Sequence, residues 1–212
     1  MISRWEPHQR SVIYSDRQIH TMEHLIIIDS CMREESRTKL ILEAAKEVLS
    51  TRYEVETIDV NALALPPVTP DSLKERTAGK VPEETLAIAW KIDSADRLVI
   101  AAPFWDMSFP SSLKAFFENM SLYDVTFTDD GTTCTGLCKC EKVLYVTTRG
   151  MDIPTGDWRD QGSSYLKALS SLWGLGEVIT VAAWNLDYMS ADSLAVKVKE
   201  TADLARRIAE EF

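Results

Sequence analysis

The chain has 212 residues, of which 45% are hydrophobic, and a formal net charge of -10, because 23 basic residues stand against 33 acidic ones. This length predicts one domain with a sizeable core. So acidic a chain, without a basic run, is a poor candidate for binding nucleic acid or an anionic membrane. No apolar run approaches the ~20 residues of a membrane-spanning helix. The four cysteines are too few for a disulfide framework, so we expect reduced thiols in a cytoplasmic protein.

The first residues of the chain stand apart from the rest. They are polar, and the first apolar run starts only after a second methionine, Met22. We therefore expect residues 1–22 to be an N-terminal extension, disordered or arising from a misassigned start, which is dispensable for ligand binding. The remaining residues, 23–212, are expected to form one domain.

From residue 25 onward, apolar strands alternate with amphipathic helices. Strands are predicted at 25–28, 53–60, 97–102, 143–148 and 178–183. Helices are predicted at 36–49, from Pro82, around 113–120, at 165–172 and from Ser190 to the end of the chain. The proline-containing segment 61–81 is predicted to be a loop.

This alternation indicates a parallel sheet that is covered on both faces, because the strands are unbroken apolar runs. Five strands in this rhythm predict an α/β fold. It would be a flavodoxin-like three-layer sandwich with a five-stranded parallel sheet of order 2-1-3-4-5 and helices on both faces. Such sheets bind ligands at the carboxyl ends of their strands. The loops after strands one, three and four are therefore the candidates for a binding site.

Two absences exclude several kinds of site. All three histidines precede residue 25, which argues against a Ser-His-Asp or Cys-His nucleophile and against a histidine-ligated zinc. No glycine precedes Gly79, so the first strand–helix turn contains no glycine-rich phosphate loop of the dinucleotide or P-loop type.

Two of the candidate loops have features that a ligand could use, and each also has a purely structural interpretation. After strand one, Ser36 and Arg37 lie at a helix start that favours a phosphate, or they belong to an ordinary capped helix. After strand three, Phe104, Trp105 and Met107 make an apolar loop suited to a flat aromatic ligand. The alternative is that they pack under a neighbouring loop or at a subunit interface.

The loop after strand four contains Arg149 and Gly150. The glycine permits a backbone turn that is closed to other residues. The arginine would either neutralise an anion or be a surface residue in an ion pair.

Residues 24–212 resemble the FMN-dependent NAD(P)H oxidoreductases of flavodoxin-like fold, in particular the azoreductase and quinone reductase family. Its motif S-x5-S-x-[ST] after the first strand occurs as Ser30, Ser36 and Thr38. Its segment AAP-[MF]-[YW]-N-F corresponds to 101–107, followed by a helix with Leu113, Lys114, Phe116 and Phe117, and further matches lie at 125–127 and 147–151. As a set these motifs are specific for the flavin fold and less so for the substrate.

The resemblance implies a site for FMN. Ser30, Ser36, Arg37 and Thr38 would hold its phosphate. Pro103, Phe104, Trp105, Asp106 and Met107 would lie along the isoalloxazine edge, with a main-chain N–H near residue 106 reaching N5. Thr148, Arg149, Gly150 and Met151 would hold the pyrimidine side. Phe127, Asp129, Trp158 and Trp184 are candidates to line the substrate site, and no metal site is implied.

Three residues depart from the family pattern and leave the acceptor and the redox potential open. Asp106 replaces the usual asparagine, Met151 replaces a second glycine, and Asp129 stands where many relatives have an aromatic residue. The segment CTGLCKC at 134–140 holds only three cysteines, so we favour reduced structural thiols over a metal or redox cluster.

The function implied is reduction of quinones, azo or nitro aromatic compounds with NADH or NADPH, by ping-pong hydride transfer through FMN in a homodimer. The flavin carries the chemistry, so no side chain is expected to act as acid or base. Two alternatives stay open. One is a flavodoxin-type electron carrier, and the other is a flavin-free sensor or interaction protein of the same fold.

Overall fold

A computed structural model describes residues 22–212 of the chain. Apart from Met22, the predicted N-terminal extension therefore lies outside the described residues. None of the helices in the described part of the chain is long and apolar enough to cross a membrane.

Five parallel strands form the central sheet. They are β1 (Glu23–Asp29), β2 (Tyr53–Asp59), β3 (Arg97–Ala101), β6 (Lys142–Thr148) and β7 (Glu177–Ala183). A separate antiparallel hairpin joins β4 (Phe127–Asp129) and β5 (Cys134–Gly136). The order of the sheet is β2-β1-β3-β6-β7. If only the strands of this sheet are counted in chain order, this is the predicted order 2-1-3-4-5.

Within residues 22–212, seven helices and one 3-10 helix accompany these strands. The helices are α1 (Arg37–Leu49), α2 (Val60–Leu63), α3 (Pro70–Thr77), α4 (Glu83–Ser94), α5 (Ser111–Met120), α6 (Gln161–Trp173) and α7 (Ala191–Glu210), and the 3-10 helix is Leu186–Tyr188. Each predicted helix is present, with bounds that differ by a few residues.

The prediction of a plain loop at 61–81 was wrong, because α2 and α3 fall within or beside it. Asp59 caps α2 by accepting hydrogen bonds from the backbone N–H groups of Asn61 and Ala62. Thr69 and Ser72 form a reciprocal capping box around the start of α3. These local side-chain caps start short helices that have too few apolar residues to show a helical periodicity.

Helices cover the sheet on both faces, as predicted. Alternate side chains of a strand point to opposite faces, so Ile26 and Ile28 pack in one core and Leu25 and Ile27 in the other. The first core is completed by residues of α4, α5 and α6, and the second by residues of α1 and α7. The sheet is therefore buried on both sides and presents its strand ends to ligands.

The register of the strands brings three loops together at the carboxyl edge. The backbone N–H of Ser30 donates to the carbonyl of Ala101 at 2.9 Å, and that of Ala102 donates to Val146 at 3.0 Å. The N–H of Phe104 donates to the carbonyl of Thr148 at 3.1 Å. The loops after β1, β3 and β6 consequently start side by side.

Candidate functional site

A cleft with a volume of about 680 Å³ opens at the carboxyl edge of the sheet. It is lined by residues 32–38, 103–105, 148–150, and 186 and 187. These segments follow β1, β3, β6 and β7. The three loops selected from the sequence therefore meet in one cleft, and a fourth segment, after the last strand, joins them.

Most of the residues predicted to bind a cofactor line this cleft. They are Ser36, Arg37, Thr38, Pro103, Phe104, Trp105, Thr148, Arg149 and Gly150. Four others of that set, Ser30, Asp106, Met107 and Met151, lie outside its lining as the structure describes it.

The start of α1 forms the polar end of the cleft. The Ser36 hydroxyl caps the helix by accepting a hydrogen bond from the N–H of Lys39 at 3.3 Å. The N–H groups of the first turn, including those of Arg37 and Thr38, have no acceptor within the helix and lie at the positive end of its dipole. The Thr38 hydroxyl also hydrogen-bonds that of Thr148 at 2.7 Å, which ties the helix start to the loop after β6. This end of the cleft is suited to an anion such as a phosphate.

The residues before this helix have structural partners. Ser30 is fully buried, and its hydroxyl donates to the carbonyl of Ala101 at 3.1 Å, so it holds β1 to β3. Asp29 forms an ion pair with Lys39 at 3.3 Å, and this carboxylate raises the pKa of the lysine. Burial raises the pKa of Cys31 to about 12, so its thiol is neutral near pH 7.

The apolar lip contains a tight turn. Trp105 and Ser108 exchange two backbone hydrogen bonds of 3.2 and 2.8 Å, and the residues between them have positive φ angles, 46° at Asp106 and 65° at Met107. This is the pattern of a type I′ turn, which usually contains Asn-Gly. Trp105 and Met107 are 38% and 39% exposed, so the turn presents large apolar side chains beside the cleft. The sequence shows the apolar character but not the turn, because Asp-Met is an unusual pair for it.

Arg149 is neither a surface arginine nor a free cation. Its side chain is fully buried, and its Nη2 lies 2.8 Å from Oδ2 of Asp160, which is equally buried. Its Nη1 donates to the carbonyl of Ile153 at 2.9 Å, and its guanidinium carbon lies 5.4 Å from the centre of the Phe104 ring. Because Asp160 already balances its charge, Arg149 fastens the loops around the cleft and adds little attraction for an anion.

Gly150 and Asp187 meet at the other wall of the cleft. A Cβ atom on Gly150 would fall 1.8 Å from Oδ2 of Asp187, so the glycine makes room for this carboxylate. The backbone N–H of Asp187 donates to the carbonyl of Gly150 at 3.0 Å. Its Oδ1 lies 3.4 Å from Nη1 of Arg37, across the cleft.

Sequence reasoning missed Asp187 and Leu186, because it selected the loops after strands one, three and four for the cofactor and named only Trp184 after the last strand. The one available signal was positional. The segment after the last strand of a parallel sheet ends at the same edge as the others. Residues 32–35 were missed as well, although they lie inside the loop that was selected.

The candidate substrate-lining residues are not among those that line this cleft. Phe127 is buried in the hairpin, and its ring lies 4.8 Å from that of Tyr123. Asp129 is exposed and accepts a hydrogen bond from the N–H of Gly131. Trp158 is 81% exposed, and Trp184 packs under Lys197, whose Nζ lies 4.8 Å from the ring centre. Their role toward a substrate stays a prediction.

The cysteines of the CTGLCKC segment have different surroundings. Cys134 is exposed, whereas Cys138 and Cys140 are buried. Burial raises the pKa of both buried thiols, that of Cys140 to about 11. Within residues 22–212, no group of three or more histidine, cysteine, aspartate or glutamate side chains is arranged to hold a metal ion.

Comparison with known proteins gives matches over most of the chain. A family profile described as "Flavodoxin-like fold" matches residues 22–207. The FMN-dependent NADH:quinone oxidoreductase 2 of Clostridium acetobutylicum is 29% identical over 167 residues, which cover 75% of this chain and 82% of that protein. The FMN-dependent NADH:quinone oxidoreductase of Lachnoclostridium phytofermentans is 32% identical over 127 residues, which cover 60% of this chain and 63% of that protein.

Among solved structures, the azoreductase from Bacillus anthracis str. Sterne superposes with a TM-score of 0.74. The superposition covers 90% of this chain and all of that one, at 19% sequence identity. At this identity, the match shows a shared fold.

Proposed function

Since the chain belongs to the family of the flavodoxin-like fold, we propose that it is an FMN-dependent NAD(P)H oxidoreductase that reduces quinones, azo or nitro aromatic compounds. The observation that carries this proposal is the cleft itself, which joins a capped helix start to an apolar lip. The names of the relatives support it, because those proteins are FMN-dependent NADH:quinone oxidoreductases.

The residues of the cleft fit FMN at both of its ends. A volume of about 680 Å³ lies in the ~300–1,000 Å³ range of small-molecule sites. Ser36, Arg37 and Thr38 would hold the phosphate with the N–H groups of the helix start. Phe104 and Trp105 would cover the apolar ring system. Gly150 would bring its main chain to the polar edge of the ring, on the wall of the cleft that it shares with Asp187.

FMN, when bound, supplies the hydride chemistry of such a reaction. The chain contributes binding and shape: the half-buried Phe104 and the exposed Trp105 make the cleft apolar where a flat substrate would enter. The buried Arg149–Asp160 pair holds the surrounding loops in place. No side chain needs to act as a general acid or base, which agrees with the lack of histidine after residue 24.

Ping-pong kinetics follow from a single apolar cleft used in turn by two flat substrates. Initial rates at several NADH or NADPH and quinone concentrations should give parallel double-reciprocal lines. Intersecting lines would show that both substrates bind together.

The purified protein tests the proposal directly. We expect a yellow protein, or one that turns yellow with added FMN, and steady oxidation of NADH or NADPH when a quinone is supplied. Flavin binding without turnover would favour an electron carrier. A protein that stays colourless with added FMN would overturn the proposal in favour of a flavin-free sensor or interaction protein.

We further propose a cytoplasmic homodimer that binds neither nucleic acid nor membrane. The exposed apolar side chains of Trp105, Met107 and Trp158 at the carboxyl edge support a partner surface there. The acidic net charge of -10 supports the lack of nucleic-acid binding. Light scattering coupled to size exclusion tests the dimer, and a monomeric mass at micromolar concentration would contradict it.

A further inference from the structure

Asp187 brings a carboxylate to the cleft beside the helix start that is suited to an anion. It follows β7 through Asn185, which has a left-handed conformation with φ of 66°. The backbone N–H groups of Asn185 and Asp187 donate to the carbonyls of Met151 and Gly150 at 2.9 and 3.0 Å. The backbone of this residue is therefore fixed against the loop after β6.

The side chain of Asp187 occupies the space over Gly150 and extends toward α1. Its Oδ2 lies where a Cβ atom of residue 150 would be, and its Oδ1 pairs with Arg37 at 3.4 Å. The Asp187 side chain is nevertheless 64% exposed, and that of Arg37 is 41% exposed. Both groups are thus free to change partners when an anion arrives.

A phosphate at the start of α1 would meet a like charge and an arginine that already has a partner. The phosphate must either share Arg37 with Asp187 or displace Asp187 from it, and both are less favourable than binding to an unpaired cation. We propose that Asp187 sets the affinity of the cleft for a phosphate-bearing ligand by competing for Arg37, which keeps FMN exchangeable. This inference rests on the proposed function, since it takes FMN as the ligand.

Riboflavin, which has the same ring system but no phosphate, separates this effect from general flavin binding. Dissociation constants for FMN and riboflavin are measured by titrating each flavin with flavin-free protein and following its fluorescence. Asp187→Asn should tighten FMN about tenfold, equivalent to about 1.4 kcal/mol, and leave riboflavin within about twofold. The asparagine of that variant could still hydrogen-bond Arg37 through its amide oxygen, whereas Asp187→Ala leaves no such group. Asp187→Ala should therefore increase the affinity for FMN at least as much.

The matched control is Asp203→Asn on α7. It removes the same single charge from a carboxylate that pairs with Lys199 and Arg206 away from the cleft. It should leave the affinities for both flavins within about twofold of the wild-type values. Thermal unfolding of each preparation confirms that the variants are folded.

A double-mutant cycle tests the competition itself. In an Arg37→Gln background, Asp187→Asn should tighten FMN by less than about threefold. The contested cation is then absent, and only the solvent-screened repulsion between the phosphate and the 64% exposed Asp187 side chain remains. A full tenfold gain in that background would overturn the competition for Arg37.

The remaining outcomes separate this inference from the proposed function. If FMN binds but Asp187→Asn leaves its affinity unchanged, or tightens riboflavin equally, the inference is wrong and the flavin site stands. If neither flavin binds to any of the proteins, both are wrong.

Discussion

The buried ion pair between Arg149 and Asp160 makes a strong prediction about stability. Both side chains are fully buried, and their charged atoms lie 2.8 Å apart. Asp160 also caps α6, because its Oδ1 accepts a hydrogen bond from the N–H of Ser163 at 3.1 Å. Asp160→Asn keeps the size and the capping ability of this residue but removes its charge. The substitution therefore isolates the ion pair from the helix cap.

The expected loss is large, because the fully buried guanidinium of Arg149 would be left without its counter-ion. Removing one partner of a buried pair costs about 3–5 kcal/mol. In a chain of this length, each kcal/mol lowers the midpoint of thermal unfolding by about 2–4 °C. The midpoint should then fall by about 6–20 °C. The loss in free energy is a large part of a total stability of about 5–15 kcal/mol.

Urea unfolding followed by tryptophan fluorescence, together with thermal unfolding, measures this loss. The control is again Asp203→Asn, whose exposed ion pairs are screened by solvent, so that its unfolding midpoint should stay close to that of the wild type. The double variant Asp160→Asn/Arg149→Met should regain much of the stability, because no unpaired charge remains buried. An Asp160→Asn protein within 1 kcal/mol of wild type would refute the role of Arg149 in fastening the loops.

Three further predictions concern the cleft, the start of the chain and the buried thiols. Ser36→Glu should weaken the affinity for FMN at least tenfold and that for riboflavin little. The control Ser190→Glu, which replaces the equivalent cap of α7, should leave both affinities unchanged, and each variant loses about 1 kcal/mol of stability with its cap. Full FMN affinity in Ser36→Glu would place the phosphate elsewhere. A chain starting at Met22 should bind FMN as the full chain does, and a loss of binding would make residues 1–21 part of the site. Burial raises the pKa of the Cys140 thiol from 9.0 to about 11, so its contribution to the free energy of unfolding is complete below pH 9 and falls by about 1.4 kcal/mol per pH unit between pH 9 and 11. In urea unfolding, the free energy of unfolding of Cys140→Ala should therefore decline less steeply with pH than that of the wild type. An identical slope would contradict the burial of this thiol.

The alternating pattern of the sequence determined the fold to a large extent. Unbroken apolar runs such as LIII at 25–28 indicate strands that are buried on both faces, and the amphipathic helices between them favour parallel strands. The loops at the carboxyl edge followed from that topology, and the resemblance to the FMN-dependent oxidoreductases supplied most of the individual residues that line the cleft. These features depend on local periodicity and on connections between neighbours in the chain, which one sequence contains in full.

The tertiary structure alone decided which residues far apart in the chain become partners. The sequence left Arg149 either to neutralise an anion or to form a surface ion pair, because an arginine is usually exposed. Only its packing against Asp160 and Phe104 shows that it is buried. Asp187 and Arg37 lie 150 positions apart, and their ion pair exists because β7 ends beside the start of α1. The charge that a ligand meets in this cleft is set by such long-range pairings, because Coulomb energies depend on distances in space that the order of residues does not contain.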